Sequence, residues 1–273
     1  TLFPYTTLFR SLEIKSAEYN TLLPVPYWSW QDKKSEVLEI LSDYLDDTKV
    51  MFTWPVIKDS IENCQCFFSG RELEISTFLN PIYDFGTFSK AEHRILMSAT
   101  TQNDSFFIKG LGLNASAVRN PLTVKSEKWS GEKMILIPSL IHEQLDRNLM
   151  INKFAIPHTN FKPGILFITS SFSKTNLYKH LGSTVVDSNS IFQEVNQLKS
   201  GNTGKPVVIV NRYDGVDLPD DACRILILDS CPFAESLTER YEEYCRSDSE
   251  IISVKIAQKI EQGLGRSVRG EKD

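Results

Sequence analysis

The chain has 273 residues, enough for one large domain or two smaller ones, and its 41% hydrophobic content is sufficient for a packed interior. A formal net charge of −5 excludes the overall basic field of a passive nucleic-acid coat, while leaving room for a local basic groove. No run of eighteen apolar residues occurs, so no membrane-spanning helix is expected.

Residues 1–11, TLFPYTTLFRS, match the conceptual translation of a common sequencing-library adapter. They lack the basic start, continuous apolar core and small-residue cleavage site of a signal peptide, so they are set aside as an artefact. The pattern over 29–47 predicts an amphipathic helix, with Val37, Leu38, Ile40, Leu41, Tyr44 and Leu45 at helical spacing. A weaker helical pattern covers 56–63. The run CQCFFSGRELEI (64–75) reads as a hairpin or bent strand around Ser69-Gly70, and EHRILMSA (92–99) as a short apolar strand. After Pro121, strand-like runs at 133–138, 164–169, 183–187, 205–210 and 223–229 alternate with helical stretches near 142–155, 173–181, 190–199 and 235–247. A last helix pattern covers 250–268. Nearly continuous Val, Ile and Leu is the pattern of strands covered on both faces. The expected fold class is therefore α/β, a parallel sheet flanked by helices.

Three polar clusters follow these elements: Ser98-Ala99-Thr100, Asn211 to Asp217, and Gln262 to Arg269. In an open parallel sheet, ligands bind at the carboxyl ends of the strands, where such clusters fall. Each alone reads equally well as a polar loop or a solvated helix end. Taken together, the order SAT, a strand ending in Thr169-Ser170, RYDGVD and QGLGRSVR resembles motifs III to VI of superfamily 2 DEAD/DEAH-box helicases. The similarity is greatest to the DinG/XPD-like branch and covers roughly residues 60–273.

That resemblance implies a RecA-like second helicase motor domain over 121–273, preceded by a remnant of the first RecA-like motor domain over 61–120. Residues 12–60 then correspond to the end of a helical insertion. It further implies the C-terminal part of an ATP-dependent helicase, an ATP hydrolase acting on nucleic acid, with DNA favoured by the resemblance alone. Two other readings stay open: an ATP-driven translocase of a defence system that does not unwind, and a catalytically silent nucleic-acid-binding scaffold. Residues three apart on a helix share a face, and Arg266 and Arg269 are so spaced. By resemblance they are arginine fingers that stabilise the charge of phosphoryl transfer, with Gln262 helping to position them or the nucleotide. Gly215 permits a tight turn, Asp217 offers a carboxylate near the ribose or the fingers, and Gly265 suggests a close backbone approach. Asp214 reads as a turn residue. Ser98 and Thr100 carry the coupling role of motif III, with local turn capping as the plainer reading. Strand phosphates would meet Thr169 and Ser170, with help from Ser171 and Lys174. Arg212 would contact a phosphate or support its loop, with a surface ion pair as the alternative.

The sequence contains no GxxxxGK[ST] loop and no DExH or DEAD box. ATP with Mg2+ would therefore be held mainly by an upstream domain, a partner in cis beside single-stranded or tailed nucleic acid. No membrane partner is expected. Cys64, Cys66, Cys223, Cys231 and Cys245 form an odd, scattered set that suits reduced thiols in the cytoplasm. None is expected to ligate an iron–sulfur cluster. Cys64 and Cys66 would share one strand face, but no second pair lies at ligand spacing. His93, His142, His158 and His180 are dispersed, with no metal or triad spacing.

Overall fold

The computed structural model describes residues 22–70, 72–97, 105–122, 133–159, 163–213 and 215–265. The chain divides into two compact units. One holds residues up to Leu122 together with Ala234–Ser247; the other runs from 123 to Phe233 and resumes at Asp248. In chain order the first unit contains β1 (Leu23–Pro24), α1 (Tyr27–Ser42), β2 (Cys64–Phe68) and β3 (Leu73–Thr77). The second contains α2 (Arg147–Phe154), β4 (Ile165–Thr169), α3 (Thr175–Leu181), β5 (Thr184–Val185), α4 (Ile191–Lys199), β6 (Val207–Val210) and β7 (Ile225–Asp229). Next, α5 (Leu237–Cys245) returns to the first unit and α6 (Glu250–Leu264) to the second.

The first unit is built on an antiparallel sheet of order β1-β2-β3. The hairpin expected at Ser69-Gly70 forms, with Cys64 opposite Thr77 and Phe68 opposite Leu73. Ser69 closes it twice, its N–H donating to the Glu72 carbonyl at 2.9 Å and its hydroxyl accepting from the Glu72 N–H at 3.2 Å. Alternation sends Cys64 and Cys66 to one face, where they pack with Trp30, Val37, Trp54, Ile57 and Ile61. The Trp30 indole remains satisfied there by donating to the Ile61 carbonyl at 2.8 Å. On the other face Phe67 meets Tyr241 of α5, ring centroids 5.1 Å apart. The helix expected over 29–47 is α1, and the weaker one is the turn Trp54–Ile57 passing into the 3-10 segment Lys58–Asn63. Although α5 lies within the 121–273 read as one domain, it packs in this first unit.

The second unit carries a four-stranded parallel sheet of order β5-β6-β4-β7. Leu166, Ile168, Val207 and Ile209 face α4 through Ile191 and Leu198, with Tyr213, Val216 and Leu218 of the following loop. Ile165, Phe167 and Val208 face the other way, against Ile151, Ala155 and Tyr178. Successive strand residues point to opposite faces, so a sheet covered on both sides demands an unbroken apolar run. Each fully buried Leu or Ile contributes about 2 kcal/mol. At the entrance to β4 the Ala222 carbonyl occupies the space a Cβ on Gly164 would need, and Gly164 donates to the Asp221 carbonyl at 2.7 Å.

Two expected strands do not form. Within 92–99 and 133–138, residues 92–97 and 133–137 join no sheet among the described residues. Ile95, Met97 and Met134 are 86%, 91% and 85% exposed. An apolar run becomes a strand only where a neighbouring backbone offers donors and acceptors to pair with it, which the sequence of the run does not encode. No helix among the described residues is long and apolar enough to cross a membrane.

Candidate functional site

All strands of a parallel sheet end on one edge, and here β4 and β7 end in polar residues there while β6 runs directly into one. β4 closes on Thr169 and passes to Ser170 and Ser171; β6 passes to Asn211; β7 closes on Asp229 and passes to Ser230. Asn211 and Ser230 both adopt left-handed backbone, with φ of 48° and 88°. For side chains other than glycine this costs about 1–3 kcal/mol, so the surroundings must hold it in place. The Asn211 N–H donates to the Thr169 carbonyl at 2.8 Å, extending the β4–β6 ladder by one residue. Its side-chain amide clamps Phe233, donating to that residue's carbonyl and accepting from its N–H, each at 3.3 Å.

Asp229 organises the edge. Its side chain is almost wholly buried and accepts four hydrogen bonds. Arg147 donates from Nε to Oδ1 at 2.5 Å and from Nη2 to Oδ2 at 2.7 Å; the Tyr178 and Thr169 hydroxyls reach Oδ2 at 2.7 and 3.3 Å. Burial alone would raise the Asp229 carboxyl, but the bonds from Arg147 and Tyr178 and the charges of Arg147 and Lys174 outweigh it and hold it below the ordinary carboxylate range. The Tyr178 phenol is pushed far up by burial and by the adjoining carboxylate, so it stays protonated and acts as a donor. Beside this network Lys174 Nζ donates to Ser230 Oγ at 2.7 Å and to Ser170 Oγ at 3.2 Å, and the Ser171 and Ser173 hydroxyls pair at 2.8 Å. The result is an exposed shelf of one ammonium and several hydroxyls over a buried, charge-paired base.

The residues expected from the sequence fall into distinct places. Ser170 joins Lys174 on the shelf, whereas Thr169 is fully buried with its hydroxyl given to Asp229, so it supports the shelf from below. In the loop after β6, Tyr213, Val216 and Leu218 sink into the core while Arg212, Gly215 and Asp217 face outward. Gly215 has φ of 77°, a turn that favours glycine. Gln262 is exposed on α6, and the next residue, Gly263, lies against Tyr213; a Cβ there would come within 2.9 Å of the tyrosine ring. On α6 the tight approach is thus at Gly263. Gly265 caps α6 in ordinary helical conformation (φ −72°), and a Cβ there would meet the helix's own carbonyls no nearer than 3.5 Å. Ser98, Thr100, Asp214, Arg266 and Arg269 lie outside the described residues.

Arg147, Tyr178, Asp229 and Ser230 escaped sequence reasoning. One signal was available: an aspartate closing the apolar run LILD must find donors once buried. Cys66 and Cys223 are inert, each thiol pushed up to about 12 by burial. No group of three or more His, Cys, Asp or Glu among the described residues could hold a metal ion. No protein-family model matches this chain, and a search of curated proteins gives no match.

Proposed function

We propose that this chain is the C-terminal part of an ATP-driven nucleic-acid motor, a superfamily 2 helicase of the DinG/XPD-like branch with a RecA-like second lobe. The observation that carries the reading is the seating of Gly263 on Tyr213. It joins Tyr213, in the loop after β6 that carries RYDGVD, to the end of α6, where QGLGRSVR begins. Both sit in the unit whose parallel sheet presents the Ser170–Lys174 shelf. Tyr213 and Gly263, fifty residues apart in sequence, thereby meet within one unit, and a nucleotide-responsive site at the strand ends would draw on the segments that carry them.

On this reading the exposed residues divide the work. Gly215 and Asp217 face the nucleotide, Gln262 orients the segment carrying Arg266 and Arg269, and those two guanidinium groups stabilise charge on the transferring phosphoryl. Ser170, Ser171 and Lys174 hold strand phosphates without reading sequence. The phosphate-binding loop and the acid that holds Mg2+ come from a preceding lobe, because neither motif is in this sequence.

The test is phosphate release by the reading frame joined to its upstream lobe. Hydrolysis stimulated by single strands is expected, with Arg266→Ala abolishing turnover while nucleotide still binds. Absence of strand-stimulated hydrolysis in that protein, or turnover near wild type in Arg266→Ala, overturns the proposal.

A further inference from the structure

We infer that Arg147 is an anion-binding residue of the strand-end shelf, taking a phosphate group jointly with Lys174 and positioned for it by Asp229 and Tyr178. The inference rests on the strand-binding reading above but adds a residue that none of the sequence motifs contains.

Three observations carry it. First, Arg147 occupies the opening turn of α2, where the helix dipole disfavours a cation, so helix stability does not explain it. Second, the guanidinium spends Nε and one Nη2 hydrogen on Asp229, yet 46% of the side chain remains exposed. Arginine has five N–H donors in a planar fork, and a buried carboxylate on one edge fixes the direction of the others. Third, Arg147 grips Asp229 while Lys174 grips the next residue, Ser230, and the Lys174 charge also acts on the Asp229 carboxylate, so the two cations address one strand end. With Asp229 counted, the cluster carries one net positive charge, surrounded by the hydroxyls of Ser170, Ser171, Ser173 and Ser230. A fork, a point charge and short hydroxyls suit a phosphate oxygen cluster.

The chemistry fits a phosphodiester of a nucleic-acid strand and a free phosphate alike, so the experiment uses both as probes. Binding of fluorescein-labelled oligothymidine to the 273-residue chain is followed by anisotropy across a salt series, and binding of inorganic phosphate by thermal shift. The double variant Arg147→Met/Asp229→Asn removes the pair together and leaves no orphan buried charge. It is expected to melt cooperatively, to bind the oligomer about tenfold more weakly, and to show a logarithmic salt slope reduced by about 0.7, the loss of one cation contact on a single strand. A purely structural Arg147 would not move that slope. If the double variant does not melt cooperatively, Arg147→Lys decides instead. It keeps the charge pair but loses the fork, so binding weakens severalfold at unchanged melting temperature. Wild-type affinity in either folded variant overturns the inference while leaving the motor reading standing. Phosphate binding that depends on Arg147, without any oligomer binding, sinks the strand-binding reading but upholds the anion site. Binding of neither probe by the wild type overturns both.

Discussion

Strands β2 and β4 are each five residues long, yet β4 is buried at every position while β2 keeps half-exposed residues at Gln65 and Phe68. The cause is what covers them. β4 lies inside a parallel sheet with α4 on one face and the α2 and α3 side chains on the other, so it has no solvent-facing position to give to a polar residue. β2 belongs to an antiparallel sheet whose main core, around Trp30 and Trp54, lies on one side. The two units therefore place polar chemistry differently. In the second unit it is expelled to the strand ends, where it gathers as the Asp229 network and the lysine shelf. In the first it is spread along the strand faces, where Glu74 and Ser76 serve α5. A fully covered sheet concentrates function at its edge because it has nowhere else to put it.

The sharpest way to break this comparison is to truncate two adjacent residues of β4 and one half-exposed residue of β2. Phe167→Ala removes a ring that is fully buried and packed edge-to-face on Tyr178, with centroids 5.0 Å apart, and should cost about 4 kcal/mol. Ile168→Ala, one residue later on the opposite face, should cost nearly as much, about 3 kcal/mol. In β2, Gln65→Ala loses only a 3.3 Å bond to Ser76 and should stay below about 1 kcal/mol. Urea unfolding of the three variants decides it; a tolerant Ile168 would show that one face of the sheet is not truly covered.

Next in size is the Asp229 network. Asp229→Asn removes the charge that Arg147 and Tyr178 bond to and should cost about 2–3 kcal/mol near neutral pH. The effect depends on pH with a definite sign. The folded Asp229 carboxyl is depressed, so its stabilisation is fully present above the unfolded value of about 3.9 and is lost as pH falls through the lower folded value. Wild type and Asp229→Asn should therefore differ most above about pH 4 and converge on strong acidification. Melting curves that run parallel down to pH 2 would remove Asp229 from its role.

Gly263→Ala tests the seat beneath α6. The added methyl would press on the Tyr213 ring, itself packed with Leu218 and Val216, so the neighbour has little room to yield. A loss of about 2 kcal/mol is expected, against a negligible change for Gly265→Ala, where contacts are ordinary. Equal melting temperatures for the two variants would mean that α6 does not rest on Tyr213.

Much of the second unit was legible because GILFIT, KPVVIV and CRILILD carry a signal that burial on both faces imposes, and they became β4, β6 and β7. The same signal misled at 92–99 and 133–138, since an apolar run reveals nothing about whether a neighbouring strand is available to pair with it. The shelf was only half legible. Ser170 and Lys174 stand four residues apart and close to a strand end, whereas Arg147 and Asp229 are 82 positions apart and meet only through the sheet. Thr169, expected beside Ser170 at strand phosphates, is buried instead, since nothing local in the sequence distinguishes a hydroxyl facing solvent from one facing a buried carboxylate. The return of α5 to the first unit was equally hidden, for it depends on Glu74, which precedes the helix by 163 residues.

That glutamate offers the smallest and most local test of the contrast. Its carboxylate accepts from the N–H groups of Leu237 and Thr238 and from the Thr238 hydroxyl at 2.6 Å, while Ser236 caps the same helix by accepting from the Glu239 N–H at 3.0 Å. Glu74→Ala should therefore remove only part of the capping of α5 and cost about 1 kcal/mol. The loss should be confined to the helix start, because Phe67 and Tyr241 still hold the helix body to the sheet. Native-state hydrogen exchange reads this directly: the amides of Leu237 and Thr238 should exchange about fivefold faster, with β4 and β6 unchanged. Faster exchange that also reached β4 would mean that the two units share one cooperative core, and the division of labour between strand face and strand edge would then lose its basis.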